Sequence, residues 1–410
     1  MKTSIFYATN RAHEGDDRFN PKRYGSRFSS DGMENLRFGR VEFEADDDEV
    51  HRFLDKDRPR TGPGDGESLQ GYFAKRIADT QVITAYQESI PDKGVSDTAQ
   101  KEVKLGSMAM FSDLQADMQA GRDMLLLVHG FNVSWEEAVA TAAAFEAVLN
   151  RPTPSATPHQ PVRVLLFSWP SDGKAIPWVS YKSDRADARG TAGAFGRALL
   201  KTRDYLHAVG RQARQDSAAM RALRERMAGS PQAEIERAVA QMEATELCGQ
   251  RIHLLTHSMG NYVLQNALDR VWDHSPGDQL PRVFDQVFLC APDVDDDVLE
   301  PGKPMERLHQ IAQSIAIYHN PNDSALRISD YTKGNPDRLG QRGAARPQSL
   351  HQKIYQVDCS PLVTGLTQHS YYTNGVIAAD IRRAIQQETP GQRGLVNTGA
   401  WNNCWAFPAP

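Results

Sequence analysis

The chain has 410 residues, 40% of them hydrophobic and 24% charged, with a formal net charge of −5. That size and balance fit one large α/β domain with elaborations, or two ordinary domains, and exclude a disordered or fibrous chain. The mild charge gives no electrostatic case for nucleic acid, and no run approaches the ~18–20 apolar residues that span a bilayer.

The opening "MKTSIFYATNRAHEGDD" has too short an apolar stretch for a secretory signal, so a cytoplasmic location is expected. "SIFYAT" and, further on, "LRFGRVEFE" read as weak, outer strands. Residues 10 to 75 are polar and include the acidic run "EADDDE" at 44 to 49, which lacks the ligand spacing and turn glycine of a calcium loop and reads as a solvated loop. Residues 1–80 are therefore taken as an extension packed on a main domain of residues 81–390.

Within that domain, apolar runs alternate with helical patterns, which predicts a mostly parallel sheet covered by helices. The strands are "MLLLVHG" (124 to 130), "VRVLLFSWP" (162 to 170), "RIHLLTH" (251 to 257), "QVFLCAP" (286 to 292), "SIAIYHN" (314 to 320) and "KIYQVD" (353 to 358). Near-continuous apolar runs suit strands buried on both faces. "SWEEAVATAAAFEAVLN" starts a helix at Ser134, with Glu137 at capping-box spacing. "ARGTAGAFGRALLKTRDYLHAVG" starts another, and residues 207–247, broken at "GSP", read as an inserted helical hairpin, either a solvated face or part of a lid. After "LLTHSMG", Val263, Ala267 and Val271 recur at helical spacing. The last residues, 391–410, read as a C-terminal tail whose "WNNCWAFPAP" either docks or forms an interface.

The four cysteines, Cys248, Cys290, Cys359 and Cys404, show no C-x-x-C spacing, so neither a metal site nor a disulfide framework is expected. Cys290 reads as a small buried hydrophobe.

Ser258 lies between an apolar strand and a helix, the setting of a nucleophile elbow, usually G-x-S-x-G. Here Gly260 is in place and Thr256 replaces the first glycine, so the stretch alone is only moderately specific. A nucleophilic serine also needs a base, an acid to orient it, and donors for the oxyanion. Asp323, just past the strand "SIAIYHN", and His369, after the next strand, fall at the carboxyl ends of strands, where catalytic groups gather. Asp293 is the alternative acid and Asp330 a third choice. His257 is expected to diverge from its neighbour Ser258 and pack on the sheet, and His253 and His319 to be core or loop residues. His351 would lie at the wrong end of its strand.

Upstream, "LLLVHGFNVSWEEA" ends a strand in His129-Gly130 before a capped helix. His129, Gly130, Trp169, Trp178 and Tyr181 are candidates for the wall of an acyl or alcohol pocket, with ordinary packing the competing reading of the aromatics.

Together "FYATNR", "VHGFNVSWEEA", "LLFSWPSDG", "YKSDRADA", "HLLTHSMGN", "CAPDVD" and "YHNPNDSAL" resemble the α/β-hydrolase superfamily. More narrowly they resemble a bacterial group of serine-hydrolase-like proteins long catalogued as a domain of unknown function. The resemblance covers roughly residues 120 to 375, and the insertion at 207–247 departs from its compact pattern. It implies an α/β-hydrolase fold with Ser258 as nucleophile, Asp323 as acid, His369 as base, and the amides of Phe131 and Met259 at the oxyanion. The expectation is a serine hydrolase of small carboxylic esters that needs no cofactor, binds no nucleic acid and spans no membrane. The alternatives are a non-catalytic binding or scaffold protein on the same fold, or an amide or thioester hydrolase or acyltransferase with the same triad.

Overall fold

The computed structural model describes residues 1–88, 105–152, 160–171, 177–216, 222, 225–231, 234–235, 251–273, 275, 280–326, 337–363 and 369–409, without the side chains of 177–180 and 206–216. Eleven strands form one sheet: β1 (Lys2–Thr9), β2 (Arg37–Glu44), β3 (Val82–Ala85), β4 (Asp123–Val128), β5 (Val162–Ser168), β6 (Ile252–His257), β7 (Phe284–Cys290), β8 (Ala312–His319), β9 (Ile354–Asp358), β10 (Val396–Asn397) and β11 (Cys404–Ala406). Their order is β10-β11-β9-β8-β7-β6-β4-β5-β1-β2-β3. Every pairing from β11 across to β1 is parallel, while β10 and the β2–β3 pair are antiparallel margins. The chain steps from β4 to β5 on one side, then crosses to β6 on the other. The crevice at the carboxyl ends of β4 and β6 is thus the topological switch point, where open α/β sheets place their ligands.

All six predicted strands are present, and the reason for their apolar runs is visible in the packing. Along β4, Leu125 and Leu127 enter one core, while Met124 and Val128 enter the other. Helices α2 (Gly66–Thr80), α4 (Trp135–Leu149) and α7 (Gly375–Ile385) cover the first face through Phe73, Phe145 and Ile381. Helices α3 (Gly106–Gln119), α5 (Pro177–Asp216) and α6 (Gly260–Asp273) cover the second through Leu114, Phe195 and Val263. The capping box of α4 forms as expected: Ser134 Oγ accepts from the Glu137 amide, and Glu137 accepts from the Ser134 amide at 2.8 Å.

Several expectations change. The first strand is an inner one, not an outer one: β1 pairs with β5 (Tyr7 opposite Leu166) and with β2 (Tyr7 opposite Gly39). The acidic run is not a loop but the start of α1 (Asp47–Asp55): Asp46 caps it by accepting from the Glu49 amide at 3.0 Å, and the carboxylates of the first turn suit the positive end of the helix dipole. Of the two readings of residues 391–410, docking is the one seen: β11 extends the sheet with Trp405 opposite Val357. Of the segment at 207–247, residues up to Asp216 continue α5 without a break, and most of residues 217–247, on which the hairpin reading falls, lie outside the described residues. Among the described residues no helix is long and apolar enough to cross a membrane. Cys290, Cys359 and Cys404 are buried free thiols, and Cys248 lies outside the described residues.

Candidate active site

Ser258 follows the last residue of β6 and precedes α6, with φ at +53°. A non-glycine residue in this left-handed region costs roughly 1–2 kcal/mol, which the turn around it must supply. The turn is tight. A Cβ on Gly260 would stand 2.7 Å from the Val128 carbonyl oxygen and 2.8 Å from that of His129, so only glycine lets the elbow lie against the end of β4. At the other arm, Thr256 is fully buried and its Oγ1 donates to Asn261 Oδ1 at 2.7 Å. Asn261 Nδ2 returns the bond to the carbonyls of Thr256 (3.0 Å) and Ser258 (3.1 Å). The threonine in place of glycine thus clasps the turn to the helix after it.

Asp323 and His369 are brought together. Asp323 is buried just past β8, with Oδ1 accepting from the Ala325 amide at 3.0 Å. Its Oδ2 lies 2.7 Å from His369 Nδ1. A neutral imidazole in that pairing carries its proton on Nδ1, which leaves the Nε2 lone pair available. His369 Nε2 is buried and has no hydrogen-bond partner among the described residues. His257 fixes the backbone of this histidine to the elbow: its Nε2 donates to the His369 carbonyl at 3.2 Å, and the two rings stand 4.7 Å apart. Burial, reinforced by His369, holds the His257 imidazole well below its ordinary value, so it is neutral. It is a buttress for His369, a closer relationship than sheet packing implied.

Asp293 is placed elsewhere. Its amide donates to the Ser258 carbonyl at 3.2 Å, but its carboxylate is taken by Tyr181 Oη (3.0 Å) and Arg338 Nε (3.4 Å). Asp330 lies outside the described residues. His253 is buried 3.6 Å from Asp123, His319 is buried, and His351 stacks on His309 with centroids 4.1 Å apart.

The loop after β4 lies against the serine: a Cβ on Gly130 would meet Ser258 Cβ at 2.9 Å. The amides of Asn132 and Val133 are committed, to Asp184 Oδ2 at 2.7 Å and Ser171 Oγ at 3.1 Å, and Ser171 in turn donates to Asp184 at 2.6 Å. The amides of Phe131 and Met259 have no hydrogen-bond partner among the described residues. Two donors left open beside a strained serine suit an oxygen that gains negative charge.

His129 and Trp169 take the packing alternative among the described residues. Both are buried and stacked 5.3 Å apart, with Trp169 Nε1 donating to the His129 carbonyl at 2.9 Å. Burial, with Arg11 beside it, pushes the His129 imidazole down to about 3. Tyr181 meets the Phe131 ring edge-on at 5.7 Å, and the side chain of Trp178 lies outside the described residues. Sequence reasoning missed Asn261, Ser171, Asp184 and Arg11 as parts of the site. Arg11, Ser171 and Asp184 stand in "FYATNR", "SWPSDG" and "YKSDRADA" and Asn261 in "HLLTHSMGN", motifs that are visible in the sequence without a role for these four residues.

A left-handed serine on a strand–turn–helix elbow, set at the switch point of a mostly parallel sheet, defines the α/β-hydrolase class. The chain belongs to the family described as alpha/beta hydrolase of unknown function (DUF900), whose model matches residues 108–207 and 219–381. That match passes over only residues 208–218, so most of the segment read as a departure from the pattern, 219–247, falls inside it. No curated protein matches the chain.

Proposed function

We propose that this hydrolase cleaves small carboxylic esters through a covalent acyl-enzyme formed on Ser258. His369 Nε2 takes the proton from Ser258 as its oxygen attacks the acyl carbon, and Asp323 holds the imidazolium that results. The Phe131 and Met259 amides receive the oxyanion. The alcohol leaves with the proton from His369, and water activated by the same imidazole then releases the acid. The observation that carries this reading is the part-buried 2.7 Å bond that His369 Nδ1 donates to Asp323, which leaves Nε2 of His369 with no other partner among the described residues.

The rival reading, a fold kept for binding without turnover, draws on the insertion at 207–247 and on Thr256 in the place of the usual glycine. The Thr256–Asn261 clasp removes the second motive alone, because the substitution comes with its own means of closing the turn. A fluorophosphonate probe tests the proposal. The expected outcome is an adduct on Ser258 and loss of p-nitrophenyl ester hydrolysis in Ser258→Ala. Equal hydrolysis by Ser258→Ala, with no adduct on the wild type, overturns it.

A further inference from the structure

Arg11 sits two residues past β1, far outside the residues that match the family, yet its side chain ends beside the loop after β4. It is 1% exposed, and its side chain is held by hydrogen bonds to neutral groups. Burial disfavours its charge, the carboxylates of Asp184, Glu136, Glu137 and Asp187 favour it from longer range, and its hydrogen bonds fix where it sits. Nε donates to Ser168 Oγ at 2.9 Å, and Nη1 donates to the carbonyls of Gly25 (3.0 Å) and Ser171 (3.4 Å). Nη2 donates to the Val133 carbonyl at 2.8 Å and lies 3.5 Å from His129 Nε2.

The contact with His129 reaches the oxyanion site through one peptide bond. His129 Nδ1 lies 2.8 Å from the Gly130 carbonyl oxygen, which can only accept, so Nδ1 carries the proton. Nε2 is then the acceptor, and the Trp169 amide donates to it at 3.2 Å. A guanidinium beside Nε2 opposes a proton there and so selects this neutral tautomer. The Gly130 carbonyl and the Phe131 N–H belong to one planar trans peptide and point in opposite directions. Fixing the carbonyl toward His129 therefore fixes the N–H away from it.

We propose that Arg11 is a positioning residue for the hydrolysis: it locks the 129–133 loop and the His129 tautomer, and so aims the Phe131 amide at the oxyanion. This rests on the acyl-enzyme reading above. An ester ground state needs that amide less than the tetrahedral state does, so the loss should fall on kcat and not on KM.

The test uses the full chain and p-nitrophenyl butyrate, with a boronic acid as the tetrahedral mimic on the serine. Arg11→Lys keeps the charge but not the fork. Its kcat is expected to fall about 10- to 100-fold, below the ~10²–10³ for deleting an oxyanion donor outright. KM should stay within about twofold, and boronate affinity should fall in proportion to kcat. An unchanged kcat, or a lower kcat with unchanged boronate affinity, overturns the proposal. If Arg11→Lys does not fold by circular dichroism, Ser168→Ala, which removes the hydroxyl that accepts from Arg11 Nε and stands 3.3 Å from His129 Nε2, carries the test of the same lock. A several-fold parallel loss is then expected, and wild-type values overturn it. Ser258→Ala separates the two readings. If that variant still hydrolyses the ester, the acyl-enzyme reading fails and this inference falls with it. If it is inactive while the Arg11 and Ser168 variants match the wild type, only this inference fails.

Discussion

Thr256 and Asn261 are joined twice across the turn that carries Ser258, hydroxyl to side-chain oxygen at 2.7 Å and amide to backbone carbonyl at 3.0 Å. Both residues are fully buried, so water cannot replace a lost partner. Asn261→Ala leaves the Thr256 hydroxyl and two carbonyls short of a bond, and a buried unsatisfied group costs about 1–3 kcal/mol. The expected result is a loss of that size in urea unfolding, with lower kcat as the elbow loosens. Wild-type stability in this variant would remove the clasp from the account.

The left-handed φ of Ser258 makes a second, separable prediction. Ser258→Ala and Ser258→Gly both lack the nucleophile, but only glycine adopts this conformation without a Cβ penalty. Ser258→Gly is expected to be about 1 kcal/mol more stable than Ser258→Ala, contrary to the usual effect of glycine in a folded chain. Equal midpoints in a denaturant titration would mean that the turn carries no strain.

The two acids differ by their partners. Asp323→Asn keeps the shape of the pair but removes the charge that holds His369, and a comparable change elsewhere lowers kcat about 10⁴-fold. A fall on the order of 10³ to 10⁴ is expected here. Asp293→Asn disturbs Tyr181 and Arg338 instead, so its expected signature is lower stability with a fall in kcat under about tenfold. A reversed ranking of kcat would move the acid role to Asp293.

Acid sensitivity follows from His257. Burial first, then the neighbouring His369, keep its imidazole unprotonated in the folded protein well below the ordinary value of 6.5. The unfolded chain takes up a proton below about pH 6.5 that the native state refuses, so this group removes stability as the pH falls and has no effect above that value. The slope is about 1.4 kcal/mol per pH unit while one proton separates the states. His257→Gln should lose that component, so the gap between wild type and variant changes with pH only below about 6.5. Parallel stability curves down to pH 5 would rule out the assignment.

Much of the candidate site is legible in the sequence because it is anchored to strand ends. Asp323 and His369 each follow an apolar run, and runs buried on both faces are the strongest pattern in the chain. The first strand is harder to place. Edge and interior strands differ in what pairs beside them, and β1 acquires its parallel neighbour from residues 165–168. Arg11 is hidden for the same reason: its partners at Val133 and Ser168 lie 122 and 157 residues away. The acidic helix α1 is a different case. Asp46 three residues before Glu49 is a capping spacing, and the density of charge points toward solvent instead.

The inner place of β1 sets the order in which a nascent chain can finish its sheet. Tyr7 can pair with Gly39 soon after both are made, but its other partner, Leu166, is made some 160 residues later, so the inner edge of the first strand must wait bare or be shielded. On the other side of the sheet, Val357 waits for Trp405, made 48 residues after it. Long-range pairings of this kind slow folding, because the entropy of loop closure is spent before the contacts form. A nascent chain therefore passes through stages in which β1, and later β9, offer a bare edge, and those stages are where temperature and chaperone supply would govern its yield.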